Sequence, residues 1–190
     1  MAYEKHFDKI VVDVPVYEDV TFDTISLATG AGTPPDIGTL DSTGIELSLF
    51  ARAETVSGSM EIPHDYKEGT DISFHIHALA PTIDAANEVI QFQLEYVWYA
   101  IGDTISSSTT INLEHTVLST DTAWTSFIIT SADISGSGKT MGSQFAFKLT
   151  RNNTGGDTYT GSGVSEDVAV NQVGVHYQKD SLGSTSVLVK

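Results

Sequence analysis

The chain has 190 residues, and its 25 Asp and Glu against 9 Lys and Arg give a formal net charge of −16. This excess of acid argues against nucleic-acid binding, because that depends on Lys and Arg displacing counterions from phosphates, and against anionic membrane surfaces. The absence of cysteine excludes disulfides and thiol nucleophiles, while a hydrophobic content of 40% suffices for a packed core.

The first part of the chain, residues 1–40, is predicted to form an extended N-terminal arm. Its start is polar and mixed in charge and lacks the features of a signal peptide, so we expect synthesis in the cytosol. The strand-like segment that follows contains Pro15, which cannot donate a ladder hydrogen bond and so favours an edge position. The aliphatic residues expected to contact a neighbouring protein are Ile10, Val12, Val14 and Val16. An edge strand of the main domain is an equally good interpretation of this segment.

Residues 41–190 are predicted to form one β-sandwich domain. The clearest strand is residues 90–99, where Ile, Phe, Leu, Tyr and Trp alternate with mostly polar residues, as in a strand with one face on a core. Similar patterns occur near residues 45–51, 59–62, 72–76, 111–117, 124–130, 145–149, 173–177 and 187–189. Turns rich in Gly, Ser, Asn and Asp separate them, and no window shows a helical stripe. This pattern predicts an all-β, antiparallel sandwich of the jelly-roll type with nine or ten strands.

Histidines are the candidate metal ligands. His75 and His77 are two positions apart on a predicted strand, so both side chains share one face, and His64 lies shortly before them. With Gly69, their spacing matches the opening of the cupin metal motif, but the motif's Glu is missing at positions 81 and 82. Because a third ligand is lacking, we expect no metal and no other cofactor, and His64, His75 and His77 are the candidates if a metal binds.

No catalytic constellation is evident. Residues 136–140, Gly-Ser-Gly-Lys-Thr, resemble the end of a phosphate-binding loop, but the required earlier glycine is Asp133 and no helix follows. No nucleophile motif lies between a strand and a helix either. We therefore predict a protein that is not an enzyme and has no catalytic residues. Two aromatic residues, Tyr99 and Trp124, are candidates for stacking on sugar rings.

Three segments of the predicted sandwich resemble tailed-bacteriophage virion structural proteins. They are residues 62–77, which begin Ile-Pro-His-Asp-Tyr-Lys-Glu-Gly-Thr-Asp-Ile, residues 134–139, and residues 175–184. The first is the most distinctive, and together they span most of the sandwich. The resemblance implies a jelly-roll protein of the virion, commonly a trimer, that acts as a capsid decoration (cement) protein or as part of a fibre or tail appendage.

The sequence thus predicts a non-enzymatic virion protein that is made in the host cytoplasm, forms a homotrimer and decorates and stabilises the capsid. Its expected partners are the major capsid protein or other virion proteins, with no nucleic acid and no membrane. The alternative is a tail-fibre or receptor-binding module that binds host-surface glycan through Tyr99 or Trp124. The acidity is interpreted as a property of a crowded, solvated outer surface.

Overall fold

The computed structural model describes residues 15–30, 32–153, 155–163 and 166–180. The strands in these residues are β1 Val16–Asp23, β2 Asp36–Thr39, β3 Glu46–Phe50, β4 Thr55–Glu61, β5 Ile72–Leu79, β6 Glu88–Tyr99, β7 Thr109–Val117, β8 Ser126–Thr130, β9 Gln144–Arg151 and β10 Val168–Lys179. Helical structure in the described part is limited to the 3-10 turns Thr24–Ser26 and Gly161–Gly163, and no helix there could cross a membrane.

The strands form two antiparallel sheets. Sheet A has the order β2-β3-β10-β5-β8, with β1 also paired to β10, and sheet B has the order β4-β9-β6-β7. From β3 onward the chain changes sheet at each connection except the β6–β7 hairpin. The orders 3-10-5-8 and 4-9-6-7 are those of an eight-stranded jelly roll, and they confirm the predicted fold class.

The core lies between the sheets and follows the alternation seen in the sequence. On β6, Ile90, Phe92 and Leu94 are fully buried. They meet the inward side chains of sheet A, and the ring centroids of Phe74 and Phe147 are 5.1 Å apart across the sandwich. Each fully buried side chain of this size stabilises the fold by about 1.5–3 kcal/mol.

The segment assigned to the arm is partly built into sheet A. β1 pairs with β10 along its whole length, and β2 pairs with β3 within the part of the predicted arm that contains Gly32, Pro34 and Pro35. The physical reason is that β3 covers only Val168 to Val170 of β10, so the rest of that edge is open to β1. Phe22 of β1 adds to the core, with its ring 5.8 Å from that of Phe147.

Two strands before the predicted boundary at residue 40, β1 and β2, therefore pair with strands of the sandwich. Val16 is the first residue of β1 and is 44% exposed. Ile10, Val12 and Val14 lie outside the described residues, as does the predicted strand at 187–189.

Candidate functional site

The outer surface of sheet A is the first candidate. Alternation places every second side chain of a strand on the face away from the core. On β3, β5, β8 and β10 these outward residues are Leu47, Leu49, Ser73, His75, His77, Leu79, Ser126, Ile128, Thr130, Ala169, Gln172, Gly174, His176 and Gln178. None of them is Asp or Glu, although the chain contains 25 acidic residues. We call this surface the neutral face.

The neutral face has exposed apolar residues along its β8 side and acids along its opposite side. Ile128 is 56% exposed and lies directly opposite His77 on the neighbouring strand, next to the half-buried Leu79. The acids nearest to this face stand on the flanking strands, Asp19 and Asp23 on β1 and Asp36 on β2. Asp19 Oδ1 lies 3.0 Å from Nδ1 of His176, so it contacts the border of the face. Depletion of charge at the centre with charge kept at the rim is the usual composition of a protein–protein interface.

Histidines occupy the middle of the neutral face. The imidazole of His75 lies over Gly174, where an added Cβ would be 2.6 Å from the ring, and its centroid is 5.1 Å from that of His77. Burial lowers the pKa of His75; the charge of Asp19 opposes this, while His77 and His176 add to it. His75 is therefore neutral at neutral pH, so it adds no charge to this surface.

The three candidate metal ligands do not converge. His77 adjoins His75, but His64 follows the end of β4 in the other sheet, where its Nε2 is 3.1 Å from Glu61 Oε1. Within the described ranges, no three His, Cys, Asp or Glu side chains form a group able to hold a metal ion. The face shared by His75 and His77 was predictable from their spacing, whereas the position of His64 depends on which sheet β4 joins.

The outer surface of sheet B has a different character. Its outward residues are mainly Gln, Asn, Ser and Thr, together with Glu61, Glu95 and Glu114. Lys148 lies beside Glu95 and forms an ion pair with it. Hydrogen bonds from Lys148 and Ser108 and the Lys148 charge lower the pKa of Glu95, so this carboxylate stays ionised. Sheet B thus presents a hydrated, charged surface, opposite in type to the neutral face.

The predicted sugar-stacking residues lie at opposite ends of the sandwich. Tyr99 is the last residue of β6. The Trp124 backbone N–H donates to the Ala80 carbonyl just after β5. Two residues further on, the Thr82 carbonyl accepts from the Tyr159 hydroxyl, and the Tyr159 backbone N–H donates to the Val89 carbonyl. Trp124 is thereby near the start of β6. Because β6 has twelve residues, about 35 Å of strand separates its two ends. The two aromatic residues therefore cannot form one sugar platform.

A pocket of about 230 Å³ opens between the end of β6 and the turn that follows β8. Its lining consists of Tyr96, Val97, Trp98, Ser107, Thr109, Ser135 and Lys139. The Lys139 ammonium donates to the Trp98 carbonyl at 2.7 Å. Sequence reasoning missed this pocket because its residues come from separate segments. The only available signal was the lysine in a Gly- and Ser-rich turn.

A buried ion pair closes the opposite end of the sandwich. Arg151 is fully buried, and its guanidinium binds both carboxylate oxygens of Asp157, at 2.9 and 3.0 Å. Arg52 also reaches Asp157, at 3.4 Å, from a partly exposed position. No buried side-chain nitrogen or oxygen in the described residues lacks a hydrogen-bond partner. The pair therefore ties β9 to the following loop, which is a structural role.

Comparisons with known proteins give similarity of fold alone. No protein-family model and no curated protein matches the chain. Among solved structures, it is similar to CBM35 from Cellvibrio japonicus Abf62 (9% identity, 85% of this chain and 98% of that one, TM-score 0.46). It is also similar to 18% of a Paenibacillus sp. cycloisomaltooligosaccharide glucanotransferase (10% identity, 81% of this chain, TM-score 0.44). A third is the Desmodium yellow mottle tymovirus structure (9% identity, 92% of this chain and 93% of that one, TM-score 0.23).

Proposed function

We propose that this chain is a non-enzymatic structural protein of a tailed-phage virion, which forms a homotrimer and decorates and stabilises the capsid. The observation that carries the proposal is the neutral face, a four-stranded surface without a carboxylate in a protein of charge −16. The phage assignment itself rests on the sequence resemblance of residues 62–77, 134–139 and 175–184.

The electrostatic argument concerns which surface can be buried against another copy. Copies of a strongly acidic protein repel one another, and a carboxylate buried without a partner is costly. At the neutral face, contact buries Ile128 and Leu79 and neutral polar groups while the acids remain hydrated at the rim. Association through this face therefore gains apolar burial without desolvating a carboxylate at its centre.

The other sheet then faces away from the contact. Its Gln-, Asn-, Ser- and Thr-rich surface, with Glu95 and Glu114, suits exposure to solvent on the outside of a particle. Attachment to the shell is assigned to the segment before β1, where the contribution of Ile10, Val12 and Val14 stays a prediction. Binding that bridges shell subunits raises particle stability by mass action.

The test compares two exposed isoleucines. Ile128 lies in the neutral face, whereas Ile101, 78% exposed in the β6–β7 connection, lies outside it. We expect Ile128→Glu to shift the purified protein from oligomer to monomer by light scattering and to lower its occupancy on purified particles. Ile101→Glu adds the same charge and should change neither. An unchanged mass and occupancy for a folded Ile128→Glu protein would contradict the proposal.

The copy number per particle separates the capsid from the tail. Quantitative mass spectrometry of purified virions should find about as many copies as the capsid surface has repeating positions if the protein is a decoration protein. A number matching one tail or fibre assembly would instead support the receptor-binding alternative. Absence of the protein from purified virions would overturn both.

A further inference from the structure

We propose that the pocket beside Lys139 binds a carboxylate-bearing sugar residue. This site is separate from the neutral face and from the two aromatic residues that the sequence suggested. It lies where the end of β6 and the start of β7 face the turn at residues 135–139.

Lys139 is the residue that indicates an anionic ligand. Its side chain is half-buried, yet no carboxylate in the described part of the chain lies within ion-pair distance of it. The other described cations that are half-buried or buried, namely Arg52, Arg151 and Lys179, each pair with at least one carboxylate. Because the protein is so acidic, a half-buried lysine without a nearby described carboxylate is a candidate site for an anionic ligand.

The ammonium is also held in position. One of its three donors is used by the Trp98 carbonyl at 2.7 Å, and the nitrogen lies 5.9 Å from the centre of the Trp98 ring. The remaining donors are not satisfied by any described carboxylate. An ammonium oriented in this way offers a charge-assisted hydrogen bond, which is stronger than a neutral one.

Both walls of the pocket are fixed by packing. On one side, the Gly136 N–H donates to Asp71 Oδ1 at 3.0 Å, and an added Cβ at Gly136 would be 1.8 Å from the Thr70 carbonyl oxygen. On the other side, the Tyr96 ring stacks on Phe145 with centroids 5.4 Å apart. Preorganised walls reduce the ordering cost of binding.

The lining selects the class of ligand. A single cation stands beside the hydroxyl-bearing residues Ser107, Thr109 and Ser135, with an aromatic side chain on the wall. This combination suits a ligand with one negative charge, several hydroxyls and an apolar ring face. The volume of about 230 Å³ is enough for one sugar ring. The single ammonium balances one negative charge, and the lining has no second cation for a phosphate dianion.

The experiment titrates the purified full chain with glucuronate, glucose and inorganic phosphate, and follows amide shifts of the pocket residues by NMR. We expect millimolar affinity for glucuronate. Glucose and phosphate should each bind at least tenfold more weakly. Lys139→Met should weaken glucuronate binding at least tenfold. Lys67→Met, which removes an exposed lysine that does not line the pocket, should bind as the wild type does.

Three results would overturn the assignment: equal binding of glucose and glucuronate, phosphate as tight as glucuronate, or an unchanged affinity in Lys139→Met. Ile128→Glu should retain the wild-type affinity because the pocket does not involve the neutral face. A failure of the pocket therefore leaves the proposed virion role standing, and a failure of the oligomer leaves the pocket standing.

Discussion

Replacement of Arg151 by Met should destabilise the fold strongly. The guanidinium is fully buried, binds both carboxylate oxygens of Asp157, and donates to the carbonyls of Phe50 at 2.8 Å and Tyr159 at 3.2 Å. Met fills much of the same volume but supplies no donor. Asp157, whose side chain is fully buried, would keep only the weaker contact with Arg52, at 3.4 Å, as an ionic partner.

The expected cost follows from the loss of one partner of a buried pair. Removal of one member leaves an uncompensated buried charge and typically costs about 3–5 kcal/mol. For a domain of this size, that corresponds to a melting temperature lower by roughly 6–20 °C. Arg52→Met is the matched control, and we expect a smaller loss, because Asp157 keeps its two shorter bonds to Arg151 and the Arg52 side chain is 28% exposed.

Urea unfolding at one fixed protein concentration measures both variants, since association would otherwise change the apparent stability. The double variant Arg151→Met with Asp157→Asn should lose less than the sum of the two single variants, because each single change leaves a buried charge without its main partner. If Arg151→Met lost no more stability than Arg52→Met, the pair would not hold the loop and the reasoning would be refuted.

Three further predictions concern the core and the histidines. Burial lowers the pKa of His75 and His115. The unfolded chain therefore binds more protons, and stability should fall as the pH drops below about 6.5, by at most about 1.4 kcal/mol per pH unit for each histidine. A flat melting temperature between about pH 7.5 and 5.5 would contradict this, and His75→Gln with His115→Gln should reduce the slope. Gly174→Ala places a Cβ 2.6 Å from the His75 ring, and thermal unfolding should show a loss of about 1–3 kcal/mol. Trp98→Phe removes the bond from the indole N–H to Ser143 Oγ at 2.8 Å, and urea unfolding should show a cost of about 1–3 kcal/mol; no change would mean that this bond is not needed.

The strands of the sandwich were predictable where apolar and polar residues alternate along the chain. Residues 90–99 show this best, and β6 covers Glu88–Tyr99. β2 was not predicted, because a four-residue edge strand in a Gly- and Pro-rich segment has too few buried positions to show a pattern. The segment that contains β1 was predicted as an arm, with an edge strand as an equal alternative near Pro15. Its pairing with β10 joins parts of the chain too far apart for the sequence pattern to show.

The candidate sites were less predictable than the strands. His75 and His77 share a face, as two-residue spacing requires, but His64 lies beside Glu61 after a strand of the other sheet. Tyr99 and Trp124 were predicted as candidates for stacking on sugar rings, and the structure places them at opposite ends of the sandwich. A strand pattern gives the face of a residue and not its neighbours on other strands.

The sequence by itself determined the acidity, the absence of cysteine chemistry, and the division of each strand into a core side and a solvent side. The tertiary structure decided which solvent sides adjoin. Leu79, Ile128 and His77 adjoin on one surface only because β5 lies beside β8 in sheet A. Lys139 likewise contacts Trp98 only because the turn after β8 meets the end of β6 in the folded sandwich. Charge composition is a property of the chain, but the position of each charge depends on strand order, which non-local hydrogen bonding sets.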